Sequence, residues 1–180
     1  FVWMGDTTKA DESLLPPFVG YEDPAWHMLP GRMDYDVQYE LIQDNLRDLS
    51  HLPWVHLNSF GGGNEESNKA WAEAELRISA LPQGVRVERW MPNARTPPHQ
   101  QTLVGPYCDV LSSFDYLVPG YFLLSSTSYR AGAAQRAGAL RPTEEPIFTS
   151  FTAQAVTPLT RRSTSYFFCF GPWAQQEGGE

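Results

Sequence analysis

The distribution of apolar residues along the chain predicts one prominent helix and a set of antiparallel strands. A helix is expected at about residues 40–52, after an extended segment at 34–40. Residues 70–91 alternate between apolar and polar side chains on both sides of a turn at 81–84, which is typical of a β-hairpin. Because one side of this hairpin is polar, we expect an antiparallel sheet with one face exposed to water.

Further apolar runs extend the predicted sheet toward the C-terminus. Strands are expected at 108–117, 120–129, 147–157 and about 162–170. The small residues at 131–140 predict a loose connection or a short helical turn between two of these strands. One helix among six or seven antiparallel strands is an α+β arrangement.

Composition and charge narrow the class of protein. The chain has 180 residues, of which 42% are hydrophobic and 13% aromatic, as expected for one packed domain. Its net charge of −8 argues against binding to nucleic acid or to an anionic membrane surface. No apolar run approaches the roughly 20 residues that span a bilayer. The two cysteines, Cys108 and Cys169, predict no disulfide framework and are consistent with a reducing cytoplasm.

Candidate chemistry is concentrated in the predicted helix. His51 and His56 are five residues apart, Asp48 precedes His51 by three residues, and Asn45 precedes Asp48 by three. Two imidazoles need only one carboxylate to complete a facial triad around iron. At about 100° per residue, Asn45, Asp48 and His51 share one helical stripe, whereas His56 lies roughly 140° away from His51. We expect Pro53 to cause a break or a π-like bulge that brings His56 onto this stripe.

The segment from Asp44 to His56 resembles the iron-binding helix of Rieske non-haem iron oxygenases, in which an Asp is followed by a His and then a second His with the same spacing. The vanillate O-demethylase and dicamba monooxygenase subgroup is the most similar, with Trp54 here in place of a Tyr or Phe. Residues 38–40 depart from the pattern, since relatives have Asn-Trp-Lys or Asn-Tyr-Lys where this chain has Gln-Tyr-Glu.

Two flanking segments also resemble this family. Residues 1–6, followed by Ala10-Asp11, resemble the last strand of a Rieske domain and its exit segment. Residues 156–158 and 166–168 resemble a strand pair late in the catalytic domain. The resemblance therefore extends over nearly the whole chain.

The resemblance implies a role for each residue of the motif. His51 and His56 would be iron ligands. Asp48 would be the carboxylate that links the iron site to a Rieske cluster on a neighbouring subunit. Asn45 would be a weak axial ligand of the iron or would contact the residues that ligate it.

Two further site residues follow from the same resemblance. Gln154 lies in the strand position from which relatives touch the substrate, although a water-facing position on the sheet is an equally open alternative. The third iron ligand is expected to be a carboxylate on a helix beyond Glu180, because Glu177 and Glu180 are interpreted as solvated loop residues.

The resemblance also implies the architecture and the cofactors. The fold would be a helix-grip (START/Bet v1-like) domain, with a curved antiparallel sheet around a long helix and the substrate between them. Residues 1–33 would be the end of a Rieske domain and its connector, and residues 34–180 a catalytic domain truncated before its last helix. Since this chain has no Cys-x-His and Cys-x2-His pair, the [2Fe–2S] cluster would belong to a missing N-terminal domain.

The implied reaction is the monooxygenation or O-demethylation of a substituted aromatic substrate. It would use mononuclear Fe(II), O2 and electrons from NAD(P)H, delivered by a reductase or ferredoxin to a homotrimer, and this fragment alone would be inactive. Two alternatives remain open: a helix-grip domain that binds a hydrophobic ligand without catalysis, and a zinc hydrolase built on His51 and His56. Metal analysis distinguishes the oxygenase, the ligand-binding domain and the hydrolase, because they predict iron, no metal and zinc, respectively.

Overall fold

The computed structural model describes residues 1–17, 19–20, 23–56, 65–96, 100–138 and 141–172. Its main feature is a seven-stranded sheet in the order β1-β7-β6-β5-β4-β3-β2, in which every pair of neighbours is antiparallel. The strands are β1 (Leu29–Tyr35), β2 (Glu75–Leu81), β3 (Gly84–Arg95), β4 (Tyr107–Leu117), β5 (Tyr121–Tyr129), β6 (Phe148–Thr160) and β7 (Ser163–Pro172). The helices are α1 (Tyr39–Arg47), α2 (Leu52–Val55), α3 (Glu65–Glu73), α4 (Gln101–Val104) and α5 (Ala133–Ala137). Short 3-10 turns lie at Thr7–Lys9, Glu12–Leu14 and Leu49–His51.

The β2–β3 hairpin and the four later strands agree with the sequence-based expectations to within a few residues. The short helical turn expected in 131–140 is α5. Both cysteines are free thiols, and no helix within the described ranges is long and apolar enough to cross a membrane.

Two local predictions were wrong. Residues 29–33 were predicted to be part of an irregular connector, but β1 pairs with β7 from Leu29 to Tyr35. An edge strand tolerates Pro30, because its N–H side need not pair. The proposed domain boundary between residues 33 and 34 therefore falls inside a strand.

Residues 70–73 were predicted to begin the β-hairpin but form the end of α3. The segment is rich in Ala, Glu and Lys, which favour helices, and Lys69 pairs with Glu73 one turn later at 3.9 Å. Over so few residues, the alternation of apolar and polar side chains did not distinguish a strand from a helix.

One face of the sheet is covered by α1, and we call it the helix-facing face. Its core contains Phe114, Phe122 and Val156, which are at most 7% exposed. The side chains that pack on them are Tyr39, Ile42, Leu46 and Leu49 from α1 and the following turn, and Tyr116, Leu124 and Tyr166 from the sheet. We call this part the aromatic end.

The aromatic end holds α1 in place by hydrogen bonds as well as by apolar contacts. Gln43 is buried on α1, and its Nε2 donates to the carbonyl of Pro119 at 3.2 Å, in the turn between β4 and β5. This fixes the helix against the centre of the sheet.

The same face has a different character further along the strands. Arg89, Ser112, Ser126 and Ser150 are successive cross-strand partners on β3, β4, β5 and β6. They share a face with Phe114 and Phe122, since residues two apart in a strand point the same way. We call these four residues the polar row.

The opposite face carries ion pairs and a small second cluster. Arg86 pairs with Asp115 at 2.6 Å, and Arg141 pairs with Glu88 at 2.7 Å. Beside them, Ala133 and Ala134 of α5 pack with Trp90, Leu111 and Tyr129. The predicted α+β helix-grip fold is confirmed, although its helix is shorter than expected because α1 ends at Arg47 rather than near residue 52.

Candidate metal centre

The chain that carries the two candidate histidines is not one helix. After α1, Asp48 leaves the helical region with φ −104° and ψ 88°. A 3-10 turn, Leu49–His51, and the short helix α2 follow. The expected single stripe of Asn45, Asp48 and His51 is therefore wrong. Pro53 is also not the breaking residue, because it occupies the first turn of α2, where no N–H is needed.

Three hydrogen bonds hold this non-helical segment in place, each from a ring side chain to one of three successive carbonyls. The Tyr116 hydroxyl donates to the carbonyl of Arg47 at 2.7 Å, and Trp71 Nε1 donates to the carbonyl of Leu49 at 3.1 Å. Between them, His51 Nδ1 lies 2.5 Å from the carbonyl of Asp48. The helix ends where these donors on β4 and α3 replace the helical bonds.

The break brings the two imidazoles together. The ring centroids of His51 and His56 are 5.4 Å apart, with the rings inclined by 55°. Both side chains are half-buried. Since a carbonyl only accepts hydrogen bonds, Nδ1 of His51 carries the proton and Nε2 has a free lone pair. Orientation of one ring nitrogen by a backbone carbonyl is the usual arrangement behind a metal-ligating histidine.

Asp48, which contacts His51 through its carbonyl, and Asn45, near the end of α1, lie outside the core. Both side chains are exposed. The Asp48 carboxylate accepts a hydrogen bond from the backbone N–H of Ser50 at 2.9 Å. Hydrogen bonds from Ser50 lower the pKa of Asp48, so it is a carboxylate at neutral pH. It is the carbonyl of Asp48, not its carboxylate, that orients His51.

The described residues bring together two imidazoles that could ligate a metal. No cluster of three or more His, Cys, Asp or Glu side chains with metal-binding geometry occurs in the ranges that the structure covers. Glu177 and Glu180, interpreted above as solvated loop residues, lie outside the described residues. Two converging imidazoles suit iron or zinc, which both accept further oxygen ligands.

Gln154 lies on the helix-facing face and is only 6% exposed, which decides against the water-facing alternative. Its Oε1 accepts a hydrogen bond from the Tyr166 hydroxyl at 2.6 Å. This bond leaves the amide Nε2 as the group able to donate toward a ligand.

Sequence reasoning missed Arg89. Its guanidinium carbon lies 4.4 Å from the centroid of the Trp71 ring, on the helix-facing face. The signal was present, because Arg89 continues the alternation of Val85 and Val87 and so belongs to the apolar side of β3. Nothing in the sequence indicated that Trp71, from a different element, would stack on it.

A cleft of about 620 Å³ does not coincide with these residues. It lies between α3, α5 and β2, and is lined by Trp90 and Pro92. Trp90 follows Arg89 in the strand and so faces the other side of the sheet. None of His51, His56 and Gln154 lines this cleft.

Comparison with known proteins places this geometry in a family. Residues 35–177 match the model of the vanillate O-demethylase oxygenase C-terminal domain. The toluene-4-sulfonate monooxygenase system iron-sulfur subunit TsaM1 of Comamonas testosteroni is 32% identical over 93 residues, which cover 52% of this chain and 26% of that protein. A vanillate O-demethylase oxygenase subunit of Pseudomonas sp. (strain ATCC 19151) is 32% identical over 123 residues, covering 54% of this chain and 36% of the relative.

Solved structures show the same fold. Dicamba monooxygenase bound to dicamba superposes with a TM-score of 0.74 at 23% identity, covering 94% of this chain and 46% of that one. The chain thus spans less than half the length of these relatives. Since the family model covers most of its residues, the chain belongs to the family of vanillate O-demethylase oxygenase C-terminal domains.

Proposed function

We propose that this chain is the catalytic part of a Rieske-type oxygenase that uses mononuclear non-haem Fe(II) and O2 to monooxygenate or O-demethylate a substituted aromatic substrate. The observation that carries the proposal is the convergence of His51 and His56 to a ring separation of 5.4 Å, in a chain of this family. A relative named as an iron-sulfur subunit and a solved neighbour described with non-haem iron support iron as the metal.

His51 and His56 would hold the iron together with a carboxylate beyond Glu180. The bound Fe(II) would supply the open coordination positions at which O2 is activated. The protein's own contribution is to fix the ligands. The Asp48 carbonyl holds the proton of His51 on Nδ1, so that Nε2 would be available to the ion as a neutral ligand.

Asp48 would connect this site to a second redox centre. Its exposed carboxylate can accept a hydrogen bond from an imidazole of a [2Fe–2S] Rieske cluster on a neighbouring subunit. That cluster would lie in the N-terminal domain, whose end and connector would precede β1, in a cytoplasmic homotrimer that receives electrons from NAD(P)H through a reductase or ferredoxin. Asn45, exposed near the end of α1, would border the same contact.

The substrate would lie against the helix-facing face. Gln154 is a buried polar group on this face, and its Nε2 can donate to an ether or carboxylate oxygen. Relatives are named for vanillate, toluene-4-sulfonate and dicamba, which are substituted aromatic compounds.

Metal content of the full-length protein tests the proposal. We expect about one mononuclear iron in addition to the cluster iron, and loss of this iron in His51→Ala and in His56→Ala. The exposed His27→Ala is the matched control and should keep it. Zinc in place of iron would support the hydrolase, and aromatic binding without mononuclear metal would support a binding protein.

The role of Asp48 has its own test. Asp48→Asn should keep mononuclear iron but lose turnover coupled to NAD(P)H, because an amide cannot replace the carboxylate as a charged acceptor. Asp44→Asn, which removes an exposed carboxylate 3.6 Å from Arg47, is the control. Full activity in the Asp48 variant would exclude it as the electron link.

A further inference from the structure

We propose that Arg89 binds the anionic group, a carboxylate or a sulfonate, of the aromatic substrate. This inference rests on the proposed function and adds a substrate class to it: aromatic compounds that carry one negatively charged oxyanion group. It arises from a half-buried cation on the helix-facing face that has no anionic partner in the described part of the chain.

The first argument is the state of the Arg89 side chain. Its Nε is buried and makes no hydrogen bond. Within the described ranges no carboxylate lies within 4.0 Å of its guanidinium, whereas seven other Arg or Lys side chains form ion pairs. Burial lowers the pKa of Arg89, with Asp48 opposing this shift from a distance. A desolvated guanidinium that stays charged is costly unless an anion joins it.

The second argument is the orientation of this cation. The guanidinium stacks on Trp71 at 4.4 Å, which covers one of its flat faces. Stacking leaves the N–H edge of the guanidinium for planar, two-point hydrogen bonding, the geometry that carboxylate and sulfonate groups offer. The side chain is therefore held in place before any ligand arrives.

The third argument is the set of polar groups next to Arg89. Its cross-strand neighbours on the same face are the serines of the polar row, Ser112, Ser126 and Ser150. The residues two positions further along β4 and β5 on this face are the larger, apolar Phe114 and Leu124. The three serine hydroxyls provide neutral donors for an oxyanion.

The fourth argument is the position relative to the candidate metal centre. Trp71, which stacks on Arg89, also donates through Nε1 to the carbonyl of Leu49, two residues before His51. An aromatic ring anchored by its anionic group at Arg89 would therefore extend toward the segment that carries the two histidines. Arg89 would set the orientation of the substrate without taking part in bond breaking.

Ligand binding to the full-length, iron-loaded protein tests this inference. Isothermal titration would compare toluene-4-sulfonate with neutral toluene-4-sulfonamide, and benzoate with benzamide; the two pairs separate sulfonate from carboxylate recognition. We expect the wild type to bind at least one anion more tightly than its neutral partner. Arg89→Met should weaken binding of that anion roughly 10- to 100-fold and change the neutral partner by no more than about twofold. The affinity of Arg89→Lys for the anion should lie between those of the wild type and Arg89→Met, because lysine keeps the charge but lacks the planar guanidinium.

Arg77→Met is the matched control, because Arg77 is on the neighbouring strand, faces the other side of the sheet and pairs with Glu75 at 3.1 Å. An equal loss for charged and neutral probes would mean that Arg89 only fastens α3 to the sheet through Trp71, and would overturn the inference. Equal wild-type affinity for each pair, or no binding of either anion, would overturn it as well. Iron content measured on the same protein preparations distinguishes this inference from the proposed oxygenase function. Protein that binds mononuclear iron but shows no preference for the anion overturns only the role of Arg89. Protein that prefers the anion but cannot be loaded with mononuclear iron overturns only the oxygenase function.

Discussion

The aromatic end and the polar row of the helix-facing face are built on the same strands but differ in packing. At the aromatic end, Phe114 and Phe122 are at most 2% exposed and are covered by α1. In the polar row, β4 and β5 present Ser112 and Ser126, and β3 presents the half-buried Arg89. The difference indicates that one end supplies stability, whereas the other carries small polar side chains and a positive charge.

The two ends meet at the segment between α1 and α2. Tyr116, from the aromatic end, holds the carbonyl of Arg47, and Trp71, which stacks on Arg89, holds the carbonyl of Leu49. The position of His51 therefore depends on both ends. Substitutions at the two ends should therefore alter different properties of the protein.

The largest effect on stability is expected at the aromatic end. Phe122→Ala should lower the free energy of unfolding by about 3–5 kcal/mol, because it leaves a cavity in a core that cannot collapse around it. Phe167→Ala is the matched control, since Phe167 is 42% exposed and on the other face of β7. Urea unfolding measures both; equal losses would mean that the aromatic end is not the stabilising core.

Alkaline pH should weaken the same end. Burial raises the pKa of Tyr116 and of Tyr166 to about 12, above the value of about 10 expected in the unfolded chain. Their full contribution to stability is present below pH 10 and is lost as the pH rises toward 12, with a slope of up to about 1.4 kcal/mol per pH unit for each tyrosine. Urea unfolding across this range measures the slope. The Tyr116→Phe, Tyr166→Phe double variant should flatten it, and an unchanged slope would refute the assignment.

Tyr116→Phe separates packing from positioning. Removing the hydroxyl should cost about 0.5–1.5 kcal/mol, because the ring stays packed while the carbonyl of Arg47 loses its donor. Mononuclear iron should also be held less tightly, which competition with a chelator measures. Tyr107→Phe, at an exposed position 41% accessible, is the control for the loss of a hydroxyl. Unchanged iron affinity would mean that the Tyr116 hydroxyl does not help to position the segment before His51.

The smallest effect is expected in the polar row. Ser112→Ala should lower the free energy of unfolding by only about 0.5 kcal/mol, because it removes a single hydroxyl from a small buried side chain and leaves the strand pairing intact. Phe114→Ala, which removes a whole ring two residues along the same strand, is the contrasting variant. A loss of several kcal/mol in the serine variant would contradict the view that the aromatic end supplies most of the stability of this face.

A structural feature could be predicted from the sequence when the residues that cause it are close together along the chain. The strands β4 to β7 and the β2–β3 turn follow from alternation and turn residues, and they were predicted nearly to the residue. The closeness of His51 and His56 was also expected, but for the wrong reason: the break lies at Asp48, not at Pro53. Donors from β4 and α3 fix that break, and no local pattern near the histidines encodes them.

The sequence by itself determined the α+β class, the family resemblance and the two candidate iron ligands, because hydrophobic periodicity and residue spacing are written along the chain. Only the tertiary structure decided where α1 ends, which nitrogen of His51 is free, and that Arg89 meets Trp71 instead of a carboxylate. Each of these depends on side chains from elements far apart in sequence, which become neighbours only when the sheet closes around the helix.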